Sequence, residues 1–135
     1  MIERPNFTGV WRADFDQSNL EIEAPLFSEF TIQHEEPTFL LSRTHRAEGS
    51  EDSFSMRLST DGRESVITKS NAVIRCRCFW EGAALRFESM IAGAGFEAAN
   101  TVLYSLSEDG REILADERYD GPPKSYHNVW VLVRR

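Results

Sequence analysis

Nowhere in the 135 residues is there anything close to the ~20 consecutive apolar positions of a membrane-crossing helix. Cations are also in deficit, with 15 Lys and Arg against 22 Asp and Glu and a formal charge of −7. Nucleic acid suits such a surface poorly, because phosphate binding draws on clustered cations that release counterions. The one close basic pair, Arg75 and Arg77, is too small to make a patch. The same deficit argues against docking on an anionic membrane. There are only two cysteines, Cys76 and Cys78, separated by one residue. On a strand they share a face and are badly placed for a disulfide, so reduced thiols and a cytoplasmic location are expected. The opening Met1-Ile2-Glu3-Arg4-Pro5 has neither an apolar stretch nor a small-residue cleavage site, so no secretory signal is expected. Helical periodicity is scarce as well. No window sustains apolar residues at i, i+3, i+4 and i+7 with capping signals at both ends.

Alternation with a period of two recurs instead. Phe7, Gly9, Trp11, Ala13 and Phe15 fall on one face of a first strand. Phe30, Ile32 and His34 alternate with Thr31 and Gln33, and Phe54, Met56 and Leu58 alternate with serines and Arg57. Ile74, Cys76, Cys78 and Trp80 oppose Val73, Arg75 and Arg77, while Leu85, Phe87, Ser89 and Ile91 oppose Arg86 and Glu88. A last clear run sets Phe96, Ala98, Asn100, Val102, Tyr104 and Leu106 against Glu97, Thr101 and Ser105. One apolar and one polar face per strand describes an antiparallel sheet with a single wet side.

The punctuation agrees. Glu48-Gly49-Ser50, Thr60-Asp61-Gly62-Arg63, Ser70-Asn71, Glu81-Gly82, Gly93-Ala94-Gly95, Glu108-Asp109-Gly110 and Asp120-Gly121-Pro122-Pro123 are turn chemistry between runs. Connections this short force neighbours to pair antiparallel. The expectation is an all-β, up-and-down antiparallel barrel of about nine or ten strands, closed because closure removes both sheet edges. It forms a single domain over 1–135, a length that buries about two-thirds of its unfolded surface. The long connection from Asp16 to Ser28 is the candidate for a lid or a short helix across one end. The final Val129-Trp130-Val131-Leu132-Val133 is apolar on both faces. It suits a strand paired with the first and covered outside, as by a second copy of the chain in a homodimer.

The segment Phe7-Thr8-Gly9-Val10-Trp11-Arg12, the meander behind it, the Ser107-to-Arg111 hairpin and the terminal Arg134-Arg135 together resemble the calycin superfamily of lipocalins, fatty-acid-binding proteins and streptavidin-like barrels. The likeness is nearest to small bacterial lipocalin-like proteins of unassigned function. It implies a barrel floor closed by Trp11, with Arg134 packed on the indole, and it implies ligand binding. It implies no catalysis. The signal peptide and disulfide of typical lipocalins are absent, and their Thr-Asp-Tyr loop motif is not evident.

No residues spell out a chemistry. His34 and His45 could approach each other across a hairpin at Glu36-Pro37, with Glu35 or Glu36 near, but a third ligand is not fixed and no metal is expected. Cys76 and Cys78 lack the second pair of a thiolate zinc site. Gly93-Ala94-Gly95 precedes no helix and is not a phosphate loop. No cofactor is expected. More telling are polar residues on apolar faces, such as Asn100 and Tyr104, since a few convergent polar groups orient a ligand in an apolar pocket. The expected function is non-catalytic binding of a small apolar or amphipathic molecule. Its expected lining comprises Phe30, Ile32, Phe54, Met56, Cys76, Phe87, Asn100, Tyr104 and Tyr126. Two alternatives stand beside it. One is a barrel enzyme using His34, Tyr104 or His127 in general acid–base chemistry, and the other is a self-filled barrel serving as an interaction or assembly module.

Overall fold

A computed structural model describes residues 4–135; Met1 to Glu3, part of the stretch read for a secretory signal, lie outside the described residues. Ten strands follow one another: β1 Gly9–Ala13, β2 Phe27–Glu35, β3 Thr38–Ala47, β4 Ser50–Ser59 and β5 Ser65–Lys69, then β6 Ala72–Glu81, β7 Ala84–Gly93, β8 Phe96–Leu106, β9 Glu112–Asp120 and β10 Tyr126–Arg134. All pairings are antiparallel, in the order β4-β3-β2-β1-β10-β9-β8-β7-β6-β5. No helix occurs among the described residues.

The alternation read from the sequence carries the fold. Phe30, Ile32 and His34 are buried on β2, Cys76 and Cys78 on β6, and Leu85 and Phe87 on β7. Their outward neighbours Thr31, Gln33, Arg75, Arg77 and Met90 are exposed. The turns adopt the required backbone. Ser70 and Asn71 both have positive φ, 52° and 64°, which gives the mirror-image turn whose twist suits a two-residue hairpin.

The first and last strands pair, with Trp11 opposite Arg134 and Ala13 opposite Leu132. Closure is incomplete elsewhere. The edges of β4 and β5 do not form a ladder, and side chains bridge them instead. Lys69 Nζ donates to Asp52 Oδ1 at 2.7 Å, and Ser65 Oγ donates to the Arg57 carbonyl at 2.9 Å. One physical reason is length, since five-residue β5 cannot match ten-residue β4 along its edge.

The connection over residues 14–26 is an extended strap, not a helix. It runs where β1 has ended and β10 still needs a partner. Asn19 and Val129 exchange backbone hydrogen bonds, and Ser18 Oγ accepts from the Val131 amide at 2.9 Å. Phe15, Leu20 and Ile22 rest on the core. On the outer side of β10, Val131 lies opposite Leu114, which is 48 % exposed.

One end of the barrel is sealed. Trp11 is fully buried, its Nε1 donates to the Phe7 carbonyl at 2.9 Å, and the Arg134 guanidinium carbon lies 4.2 Å from its ring centroid. Arg134 also donates to the Thr8 and Gly110 carbonyls, tying the last strand to the first. Gly9 leaves room for this: at φ 153°, a Cβ there would fall 2.5 Å from Arg134 Nη1. Replacing Trp11 with Ala should therefore cost about 3–5 kcal/mol in urea unfolding. Gly9→Val, which displaces Arg134 from the indole, should also lower the transition midpoint. Unchanged midpoints in both variants would mean that this end does not hold the barrel.

Candidate ligand-binding cavity

Alternation sends every second side chain inward, and above the sealed end those side chains do not fill the barrel. A cavity of about 310 Å³ remains, bordered by residues from every strand except β1. Its wall is mainly apolar, with Phe54, Met56 and Leu58 of β4 facing Phe87 and Ile91 of β7 and Val102 of β8. A wider recess of about 590 Å³ beside Gln33, Glu35 and Arg57 opens on the outer surface and has a wall more polar than apolar.

Beneath the cavity lies a locked layer. The Phe7 amide donates to His34 Nδ1 at 3.2 Å, so the other ring nitrogen carries the hydrogen and donates to Glu36 Oε2 at 2.7 Å. Thr60 Oγ1 and Trp80 Nε1 also donate to Glu36. Burial opposes the Glu36 charge, but these donors prevail and hold its carboxyl below the usual range. His34 therefore serves the closed end.

Polar groups gather on two walls. On β8–β10, Glu117 Oε1 accepts from Asn128 Nδ2 at 3.1 Å and Trp130 Nε1 at 2.9 Å, and Oε2 accepts from Asn100 Nδ2 at 3.1 Å. On β3–β5 stand Arg43, His45 and Lys69. Arg43 lies over the Phe54 ring, and its Nη2 is 3.8 Å from Asp52 Oδ2. His45 stacks on Trp130 with ring centroids 5.8 Å apart and hydrogen-bonds Ser28 Oγ through Nδ1. Burial, aided by the nearby Arg43 charge, pushes the His45 pKa down to about 4, so the ring is neutral near pH 7. Burial pushes the Tyr104 hydroxyl up, and it keeps its proton.

Of the residues read from sequence, Phe30, Phe54, Met56, Cys76, Phe87, Asn100 and Tyr104 border the cavity. Ile32 and Tyr126 do not. Ile32 is 1 % exposed in the packed core, since register sets it beside Gly9 near the sealed end. Tyr126 stacks on Tyr119 with centroids 4.8 Å apart, at the start of β10. His34 and His45 do not meet, because β2–β3 register sets His34 opposite Phe39 and His45 opposite Ser28, six residues along β2. At about 3.4 Å per residue that is roughly 20 Å. No cluster suited to a metal occurs among the described residues. His127 faces away from the cavity, with Nε2 2.8 Å from Asp116 Oδ1. Among the bordering residues outside the expected lining are Leu41, Arg43 and His45 on β3, Lys69 on β5, Ala115 and Glu117 on β9, and Trp130 on β10. Charged inward positions had hidden the alternation of β3 and β9.

Two outcomes follow. Between pH 6.5, where an unfolded histidine takes its proton, and about 4, where His45 does, the unfolded chain binds more protons. Stability should fall as pH drops through this window, and His45→Gln should flatten the fall in urea titrations; an unchanged slope would place the ring in water. Cys76 and Cys78 are free and buried, with burial raising both thiols, Cys78 to about 12. Intact-mass spectra should show neither alkylated by iodoacetamide at pH 8 until urea unfolds the chain.

No protein-family model matches the chain, and no curated protein matches it by sequence. Solved structures do. A secretory abundant heat soluble protein from Ramazzottius varieornatus aligns with TM-score 0.64 at 9 % identity over 100 % of both chains. A structure described as the REP1-NXSQ fatty acid transporter aligns with TM-score 0.57 at 10 % identity, covering 95 % of each chain. Rv2717c from M. tuberculosis aligns with TM-score 0.55 at 14 % identity, over 96 % of this chain and 92 % of that one. At such identities the likeness is one of fold, that of an antiparallel β-barrel.

Proposed function

We propose that this chain, as a single domain over 1–135, is a non-catalytic binding protein that takes one small apolar or amphipathic molecule into its barrel. The observation that carries this reading is an interior space of about 310 Å³, mainly apolar in wall, with polar groups on two sides. Such a space lies at the lower end of the range for small-molecule sites. A barrel packed solid by its own side chains would have none. The resemblance in fold to a protein described as a fatty acid transporter is in keeping with the reading. The free thiols suit a reducing compartment such as the cytoplasm.

An enzyme on the same barrel is less favoured. Efficient proton transfer wants a pKa near the working pH, whereas His45 sits at about 4 and Tyr104 is pushed above its ordinary value. His34 is committed to Glu36.

Protein purified from cells and sprayed under native conditions should carry a mass of a few hundred daltons that denaturation releases. The same spectrum reads whether a homodimer forms. Ala115 is 3 % exposed and borders the cavity. Ala115→Leu, which extends a side chain into that space, should weaken binding of the uncharged fluorophore 1-aminoanthracene about tenfold, near the worth of one or two buried methylenes. A folded protein that binds neither a cellular ligand nor this fluorophore would refute the container.

A further inference from the structure

Among the charged residues that border the cavity, Arg43 and Glu117 are opposite in sign and do not meet. Arg43 is on β3, between Leu41 and His45 on the inward side, and Glu117 is on β9. No ion pair joins them among the described residues, yet both act electrostatically on His45, Tyr104 and Tyr126. Both line the same cavity, on whose wall His45 and Tyr104 also stand. A guanidinium and a carboxylate bordering one low-dielectric space would ordinarily close on each other as a bidentate pair. Here each is held on its own wall.

The holding is unequal. Glu117 takes three donors, from Asn100, Asn128 and Trp130. Of about four lone-pair sites, roughly one remains. Asn100, by giving its amide hydrogen to Glu117, leaves its Oδ1 buried with no donor. Arg43 shows the converse defect: its Nε is buried with no acceptor, and Asp52 at 3.8 Å is beyond hydrogen-bond length. Buried polar atoms are rarely left unmatched, and one wall lacks an acceptor while the other lacks a donor.

We propose that the ligand has a bipolar head: an acid whose oxygens go to Arg43, with an adjacent hydroxyl or ammonium that donates to Asn100 Oδ1 and Glu117. Its apolar body lies against Phe54, Met56 and Phe87. The inference rests on the container reading above. The class is that of 2-hydroxy and 2-amino acids with an apolar tail, and eight-carbon members serve as probes.

Displacement of 1-aminoanthracene tests this with four probes: 2-hydroxyoctanoate, 2-aminooctanoate, octanoate and octan-1-ol. The expected result is that one 2-substituted acid binds at least tenfold more tightly than octanoate, and octanoate more tightly than the alcohol. Whichever substituted acid leads identifies the donor as hydroxyl or ammonium. Arg43→Gln should erase the preference for acid over alcohol. Asn100→Leu should erase the preference for the substituted acid while keeping the first. Fluorophore binding in each variant shows that the barrel is intact. If the fluorophore binds but octanoate matches both substituted acids, or if Arg43→Gln leaves the ranking unchanged, the bipolar head is wrong and the container stands. If folded protein binds neither fluorophore nor acids, both readings fall.

Discussion

The barrel depends on a single join. The first and last strands of a ten-stranded meander are raw edges unless they pair; here they pair over Trp11, and the two edges that remain, β4 and β5, are bridged by side chains. The indole is sealed from water, hydrogen-bonded to the Phe7 carbonyl and covered by Arg134 from the last strand. Arg134 reaches that position only because Gly9 has no side chain to block it. Gly9 and Trp11 near one end of the chain and Arg134 near the other thus make one contact. The pairing of β1 with β10 and the sealed end both rest on it.

Above that end the barrel tolerates what a packed core would not. Charged groups are costly away from water unless they are matched. Glu117 is matched by three neutral donors on its own wall, which keeps it in place without a cation. Arg43 rests on the Phe54 face, a contact that suits a cation while leaving guanidinium hydrogens unused. An arrangement that served stability alone would join the two. Holding them apart keeps a small space polar on two sides and apolar between.

Legibility was uneven along the chain, for a physical reason. Strands β2, β4, β6, β7 and β8 have mainly apolar or small inward residues, and their alternation reads directly from sequence. On β3 the inward series passes from Phe39 and Leu41 to Arg43 and His45, and on β9 from Ile113 and Ala115 to Glu117. There polarity stops reporting direction, because a charged side chain turned inward reads in the sequence like one turned outward. The expected lining consequently included Asn100 and Tyr104 but neither Arg43 nor Glu117. Ile32 and Tyr126 were placed by face alone, which tells inward from outward but not cavity from floor or rim.

The sequence by itself determined the class of fold, the direction of most side chains and the turns, because these rest on local periodicity and on residue types with narrow backbone preferences; the sealing role of Trp11 was what the resemblance of its segment to calycin barrels implied. Only the tertiary structure decided what shares the interior. Register set His34 and His45 at opposite ends of one hairpin, left β4 and β5 joined by side chains and brought Arg43 and Glu117 to one cavity from strands more than seventy residues apart in sequence. Such meetings depend on how far each strand slides against the next around the whole barrel, a quantity that no local stretch of sequence encodes.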